Sequence, residues 1–277
     1  NDYANHVGGI VGYLSAENEA YVKNSSVKNA TITGYRDVAG IAGTDLARRF
    51  LLPKAVCDAH DAGIIHQHDM DYMAQKALHN CCLINLEDML NNGTIINGKK
   101  IDPQHKLLTA TTVATQIITA VASSQYGGCT ISLTHLAPFV RMSYEKYKKK
   151  YAAYKEISDE TKEELAKQDI MEEIEAAVQT FNYQVNSMTN TNGQAPFLSV
   201  CMYLGETEEY KEELAMIIEE FLNQRILGFK NEKGVYITPA FPKLLYVLDE
   251  NNINENSEYW YITQLAAECI AKRMMPD

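Results

Sequence analysis

Positive charge, cysteine, targeting signals and long apolar runs are all scarce in this sequence, and each scarcity excludes something. The 277 residues hold 25 Lys and Arg against 36 Asp and Glu, a formal charge of −11. A chain with that balance does not wrap a phosphate backbone non-specifically, so nucleic acid is not an expected partner. Six cysteines are too sparse for a disulfide scaffold. No run of about 18 apolar residues is visible, so no bilayer span is expected. The start, Asn1-Asp2-Tyr3-Ala4-Asn5, has neither the basic region nor the apolar stretch of a signal peptide. The expected compartment is the cytoplasm. The absence of an initial Met is expected of a piece of something longer. What is present, 46% hydrophobic and 22% charged residues, is an ordinary globular balance. The length suits one large or two small domains, at roughly 100–200 residues each.

Composition changes near residue 40. Val7-Gly8-Gly9-Ile10-Val11-Gly12-Tyr13 is answered by Val38-Ala39-Gly40-Ile41-Ala42-Gly43, and a stretch rich in Asn, Ser, Val and Thr lies between. Short β-prone runs broken by Gly and Asn suggest stacked hairpins or a β-solenoid turn. This resembles the GLUG-type glycine-rich repeats of bacterial surface proteins. Such units need about three copies to bury a core, so an irregular glycine-rich arm is the competing reading. The glycines do not fall as G-x-G-x-x-G, and no dinucleotide loop is expected. Two segments follow: a glycine-rich β arm at 1–40 and an α/β domain at 41–277.

From Thr44 onward helix and strand patterns alternate. Thr44 or Asp45 can cap a helix that Pro53 breaks or restarts and Gly63 ends. Ile64-Ile65-His66 and Cys81 to Asn85 are short apolar runs. Asn91-Asn92-Gly93 and Asn97-Gly98 mark turns around a small hairpin. Leu107 to Ser124 reads as a mostly buried helix, stopped by Gly127-Gly128. Helices are also expected over 136–154, from Ser158 to about Met188, over 208–227 and over 257–274. Strands are expected over 129–133, 197–204 and 243–248. Strands separated by helices mean βαβ units and a mainly parallel sheet, with chemistry at the carboxyl ends of its strands.

The densest polar constellation is His66-Gln67-His68-Asp69-Met70-Asp71-Tyr72, followed by His79-Asn80-Cys81-Cys82. It sits where predicted strands end or begin. His-x-His puts both imidazoles on one face of an extended segment, which a metal could use. A complete metal site needs further ligands, and only His105 and His135 remain downstream, so no metal is expected. Asp69 and Asp71 are read chiefly as loop braces. Cys81 and Cys82 point to opposite faces of a strand, so one can meet a pocket and the other the core. They lack the spacing of a redox Cys-x-x-Cys. Cys82, Cys129 and Cys201 in strands, with Cys57 and Cys269 on helices, are read as core packing. Cys81 stands apart because Asn80 and the His-rich loop surround it. The amide-rich stretch from Asn182 to Gln194 is expected to be solvated or to recognise a polar ligand. Lys146, Lys148, Lys149 and Lys150 form a solvated face or one that meets a triphosphate.

Several of these segments together resemble a known family. They are His66 to Tyr72, Leu78-His79-Asn80-Cys81-Cys82-Leu83, Thr115-Gln116-Ile117 with Ser123 to Gly128, Leu136-Ala137-Pro138-Phe139-Val140, Gln194-Ala195-Pro196-Phe197-Leu198-Ser199 and Gly234-Val235-Tyr236-Ile237. In this order, over about residues 36–277, they resemble the anaerobic (class III) ribonucleoside-triphosphate reductase catalytic subunit. The resemblance implies an α/β fold, the first half of a ten-stranded α/β barrel of glycyl-radical enzyme type. It implies a finger-loop cysteine that becomes a thiyl radical. A glycyl radical, installed by a radical-SAM activase, generates that thiyl. The thiyl removes hydrogen from the ribose C3′, water leaves C2′, and a second cysteine supplies the reducing hydrogen. Cys81 matches that second, catalytic cysteine. His66, His68 and Asn80 would line the same substrate pocket. Gln116 and Lys146 resemble the allosteric nucleotide site, with ATP and deoxynucleotides as effectors, at the interface of a homodimer. The substrate would be a ribonucleoside triphosphate.

In the family the finger-loop cysteine, a zinc-binding cysteine cluster and the glycyl-radical segment come after the point reached by Met275-Pro276-Asp277. An ATP-cone regulatory domain is not matched either, and the glycine-rich arm stands in its place. The polypeptide alone is therefore expected to be inactive and, as a half-barrel, prone to self-association. Two rival readings stand beside this one. A metal-dependent hydrolase would use His66 and His68, but no His follows His135. A surface interaction protein would act through the N-terminal repeat.

Overall fold

The computed structural model describes residues 47–67, 70–73, 81–124, 127–190 and 195–277. The glycine-rich segment 1–40 lies outside them, as do His68, Asp69, Asn80, Gln125 and Gln194. The chain divides into two compact units. One takes residues 1–81, 121–127 and 189–194, and the other takes 82–120, 128–188 and 195–277.

In the first unit a single π turn, Ala47–Leu51, precedes helix α1, Lys54–Asp61. Pro53 sits at its N-cap, where a missing N–H costs nothing. Cys57 is buried and Arg48 pairs with Asp61. The Gly63 N–H bonds the carbonyl of His60 at 3.0 Å and closes the helix. The short apolar run Ile64-Ile65-His66 forms no strand, and Ile64 is 77% exposed. A short apolar run has no strand without a neighbour to pair with. One turn of helix, α2, follows at Met70–Met73.

Strand β1, Cys81–Leu83, is the first of a four-stranded sheet ordered β1-β4-β5-β8. Helix α3, Leu86–Asn92, starts from Asn85, whose side-chain oxygen accepts the Asp88 N–H at 3.2 Å. The antiparallel hairpin β2–β3, Thr94–Ile96 and Lys99–Ile101, turns on Asn97 and Gly98, both at positive φ. The hairpin returns against Gly93, where a Cβ would sit 2.4 Å from the Ile101 carbonyl oxygen. Helix α4 spans Leu107–Ser124. It reaches the length and hydropathy of a membrane span, correcting the expectation that no such stretch exists. It is nonetheless punctuated by threonines, and Ala110, Ala114, Ile117 and Ile118 are buried. Its N-terminus is held from other helices: Ser143 accepts the Leu107 N–H at 2.9 Å and Glu173 the Leu108 N–H at 3.0 Å. That is the arrangement of a core helix, with orphan N–H groups satisfied by side chains.

Strand β4, Gly128–Ser132, leads through a 3-10 turn into helix α5, Ala137–Ala152. Helix α6, Asp159–Ser187, begins at the Ser158 cap, with Asp159 and Glu160 in the first turn where the helix dipole favours them. Tyr144, Tyr147 and Tyr151 of α5 lie at helical spacing and bond Glu163, Glu173 and Asp169 of α6. Burial, then the bond to Glu163, pushes the Tyr144 hydroxyl up to about 12. Strand β5, Leu198–Met202, and helix α7, Lys211–Leu227, come next. A small hairpin, β6–β7, Phe229–Lys230 with Tyr236–Ile237, precedes β8, Lys243–Tyr246, and helix α8, Trp260–Arg273. Helices α5, α6 and α7 pack on one another, as do α7 and α8.

The sheet pairs β4, β5 and β8 in parallel. Cys129, Ile131, Leu198, Val200, Met202 and Leu244 are all buried to within 1%. The alternate residues Thr130, Ser132, Ser199, Cys201, Lys243 and Leu245 are half-buried. One face is therefore core and the other is open. Asp277 pairs along the far edge of β8, with bonds of 3.0 and 2.9 Å to Tyr246 and Leu244.

Candidate functional site

Cys81 is a free, exposed thiol at the first position of β1. The neighbouring Cys82 Sγ lies 3.8 Å from the buried Cys129 Sγ. Alternation along the strand therefore sends the Cys81 side chain the other way, away from that packed pair. Cys82 is only half-buried, less enclosed than core packing predicts. His66 follows the bend after Gly63. Its ring centroid is 5.4 Å from that of His60, whose Nδ1 accepts the Gln67 N–H at 3.1 Å. His68 and Asn80 lie outside the described residues. Among the described residues no three His, Cys, Asp or Glu side chains gather into a metal-binding set.

At the carboxyl ends of β4 and β5 a second polar group forms, which the sequence reading did not single out. Ser132 and Thr134 both donate to the Glu206 carboxylate, the latter at 2.7 Å. Burial pushes the Cys201 thiol up, and the Glu206 charge adds to it. Cys201 thus stays protonated, a thiol able to give up hydrogen rather than a thiolate nucleophile. It also stands on the open face, paired in register with Ser132, which corrects its reading as core. Strands buried on both faces read as unbroken apolar runs. The alternation in Cys129-Thr130-Ile131-Ser132 and Leu198-Ser199-Val200-Cys201 was the available signal.

The segment leading into β8 is firmly anchored. Arg225 is 2% exposed and has only carbonyls and a thioether as acceptors. It donates to Pro239 at 2.9 Å, Pro242 at 2.6 Å and the Met275 sulfur at 3.5 Å. Burial lowers its guanidinium to about 10. Asn186 donates to the Phe241 carbonyl at 2.9 Å. Asn182 donates to Gln224 at 3.2 Å. Those two amides of the Asn-rich stretch therefore tie backbone and helices together, and Thr191 to Gln194 lie outside the described residues.

Lys146 is exposed on α5 and borders a cavity of about 360 Å³ lined by His105, Arg141, Lys149 and Tyr210 among others. Arg141 stacks over the Tyr210 ring at 4.4 Å and donates to Glu213 at 2.6 Å. Its pKa is raised by that hydrogen bond. Lys146 and Lys149 line the cavity together with Glu145, and Arg141 is already paired with Glu213, so its cationic excess is modest. Gln116 is exposed on α4 and is not among its lining residues.

Parallel strands joined through helices, with helices on one face and polar groups on the other, define an α/β protein. Solved anaerobic ribonucleotide reductases from Thermotoga maritima share this fold. The structure in complex with dATP and CTP gives a TM-score of 0.55 at 16% identity, over 79% of this chain and 36% of that one. The structure with glycerol in the active site gives 0.57 at 14%, over 79% and 34%. The fold is that of part of an α/β barrel. The family model for anaerobic ribonucleoside-triphosphate reductase matches residues 23–277. The anaerobic ribonucleoside-triphosphate reductases of Haemophilus influenzae and Escherichia coli are each 38% identical over 274 residues, 97% of this chain and 37% of theirs. That of enterobacteria phage T4 is 33% identical over 273 residues, 97% and 43%. The chain belongs to the anaerobic ribonucleoside-triphosphate reductase family, and spans well under half the length of these relatives.

Proposed function

We propose that this chain supplies the nucleotide-binding, thiol-bearing part of a reductase that converts ribonucleoside triphosphates to deoxyribonucleotides by radical chemistry. The family match over residues 23–277 carries this reading. Cys81, a free thiol at the tip of β1, hands a hydrogen atom to the ribose after water has left C2′, and the sulfur radical left behind is returned to the thiol by an external reductant, formate or a thiol protein. A thiol suits the step because its S–H bond is weak enough to give up that atom. His66, His68 and Asn80 hold the ribose hydroxyls. Gln116 and Lys146 take part in binding a deoxynucleotide or ATP effector, and the modest cationic excess of the cavity beside Lys146 supports a phosphate there. The thiyl cysteine, the glycyl radical and the zinc cluster belong to other segments of the reductase, and a radical-SAM activase and a second copy of the chain are its partners. Residues 41–277 make the reductase part, and the family match reaches back to residue 23, within the glycine-rich segment.

Equilibrium dialysis of the 277-residue chain against ribonucleoside and deoxynucleoside triphosphates tests the binding half. Binding is expected, and none at millimolar nucleotide overturns it. Anaerobic turnover by the activated reductase tests the thiol. Cys81→Ser is expected to lower deoxyribonucleotide formation by about a thousandfold or more, since the lost group acts in the chemical step. Undiminished turnover overturns the assignment.

A further inference from the structure

The open face of the sheet carries a row of three polar side chains. Thr130 of β4 pairs in register with Ser199 of β5, and Ser199 with Lys243 of β8. Their neighbours Ile131, Val200 and Leu244 are buried on the opposite face. The three polar side chains therefore form one row across adjacent strands, spaced by about 4.8 Å each. All three are half-buried. Among the described residues, none of the three side chains makes a hydrogen bond or an ion pair.

That is an unusual place for a bare lysine. The chain has 36 acidic residues and a charge of −11, so a carboxylate partner was readily available. The half-buried Lys243 stem carries an ammonium with no carboxylate paired to it among the described residues, a charge left available to a ligand anion. The Glu206 carboxylate is committed to Ser132 and Thr134 at the carboxyl end. The position of Lys243 is also built rather than incidental. Arg225 and Asn186 grip the carbonyls of Pro239, Phe241 and Pro242, the residues that lead directly into it. A residue held this way loses little entropy on meeting a ligand.

We propose that Lys243, flanked by the Ser199 and Thr130 hydroxyls, is an anion subsite that takes a phosphate group of a nucleotide lying along the open face. An ammonium with two hydroxyl donors matches phosphate oxygens, which accept but do not donate. The next row toward the carboxyl ends is Ser132 and Cys201, two residues on, or about 6.6 Å away. Ser132 in that row is already bonded to Glu206 and Thr134, so the uncommitted groups of the open face are those of the Lys243 row. The inference rests on the nucleotide reading for the identity of the ligand, but not for the anion site itself.

Inorganic pyrophosphate is therefore the probe. Titration calorimetry on the 277-residue chain is expected to show Lys243→Met weakening pyrophosphate binding about tenfold. Ser199→Ala should weaken it about threefold, and Lys243→Arg should largely preserve it. A measurement on the unaltered chain guards against a misfolded variant. Pyridoxal 5′-phosphate condenses with a lysine amine to an imine, with loss of water, and borohydride reduces that imine to a secondary amine. Peptide mapping should find Lys243 labelled, and pyrophosphate should suppress the label. Labelling that pyrophosphate leaves unchanged, no label at Lys243, or equal affinity in Lys243→Met overturns the proposal. Nucleoside triphosphate binding that ignores Lys243 would sink the subsite and leave the nucleotide reading intact. Lys243-dependent pyrophosphate binding without nucleotide binding would do the reverse.

Discussion

The two faces of the four-stranded sheet differ in everything but their backbone. One carries Cys129, Ile131, Leu198, Val200, Met202 and Leu244, all closed off from solvent. The other carries Thr130, Ser132, Ser199, Cys201, Lys243 and Leu245, none fully enclosed. Adjacent residues of the same strands thus serve opposite ends. The apolar set supplies free energy by leaving water, whereas Thr130, Ser199 and Lys243 on the other face keep hydrogen-bonding capacity that folding does not consume. Stability and chemistry are separated by one residue of register.

The sharpest way to break this comparison is to cut one side chain from each face. Ile131→Ala removes buried methylenes and leaves a cavity, so a loss of about 2–4 kcal/mol is expected in urea unfolding. Ser199→Ala on the other face should change stability by less than about 0.5 kcal/mol. Equal losses would mean that the open face is core as well. A smaller effect is expected from Arg225→Met. It leaves the carbonyls of Pro239 and Pro242 without their buried donor, a loss of about 1–3 kcal/mol. Because those carbonyls hold the chain entering β8, pyrophosphate affinity should fall with it. Retained affinity would show that Lys243 needs no such anchor.

Much of the covered face and its helices was legible in the sequence, and the open face was not. Leu107 to Ser124 reads as a helix from its apolar spacing, and Ser158 announces the start of α6 by a cap that the structure places on the Thr161 N–H. Asn97-Gly98 turns its hairpin as its φ preferences require. These signals are local. The failures come from long-range pairing. Ile64-Ile65-His66 has β-forming residues but stays an exposed bend. The short helix Leu86–Asn92 went unread because its end, Asn91-Asn92-Gly93, also spells a turn. Lys243 gives no signal in the sequence and Cys201 reads as core, because only strand register shows which residues share a row, and register is set by neighbours far along the chain. The sequence around Asn182 and Asn186 suggests ligand-facing or solvated amides, yet they bind Gln224 and the Phe241 carbonyl. Composition cannot separate an amide that meets a ligand from one that ties two elements together.

The smallest expected effect sharpens the comparison from the helical side. Asp169 of α6 accepts from Lys150 at 2.8 Å and from Tyr151 at 2.9 Å. The bond from Lys150 holds its carboxyl below the usual aspartate range of about 3.9. A carboxyl depressed in the folded state adds stability above its unfolded pKa and loses it as pH falls through the folded one. The pair is partly solvated, so the contribution is small and screened by salt. Thermal melts at low ionic strength should therefore find Asp169→Asn slightly less stable than the parent near pH 7. The two should converge as the pH drops below about 3.9. Added salt should narrow the gap. A gap that stayed constant with pH would mean that the variant lost packing rather than charge. The same substitution should leave pyrophosphate affinity untouched, because Asp169 serves the helix layer and Lys243 the open face.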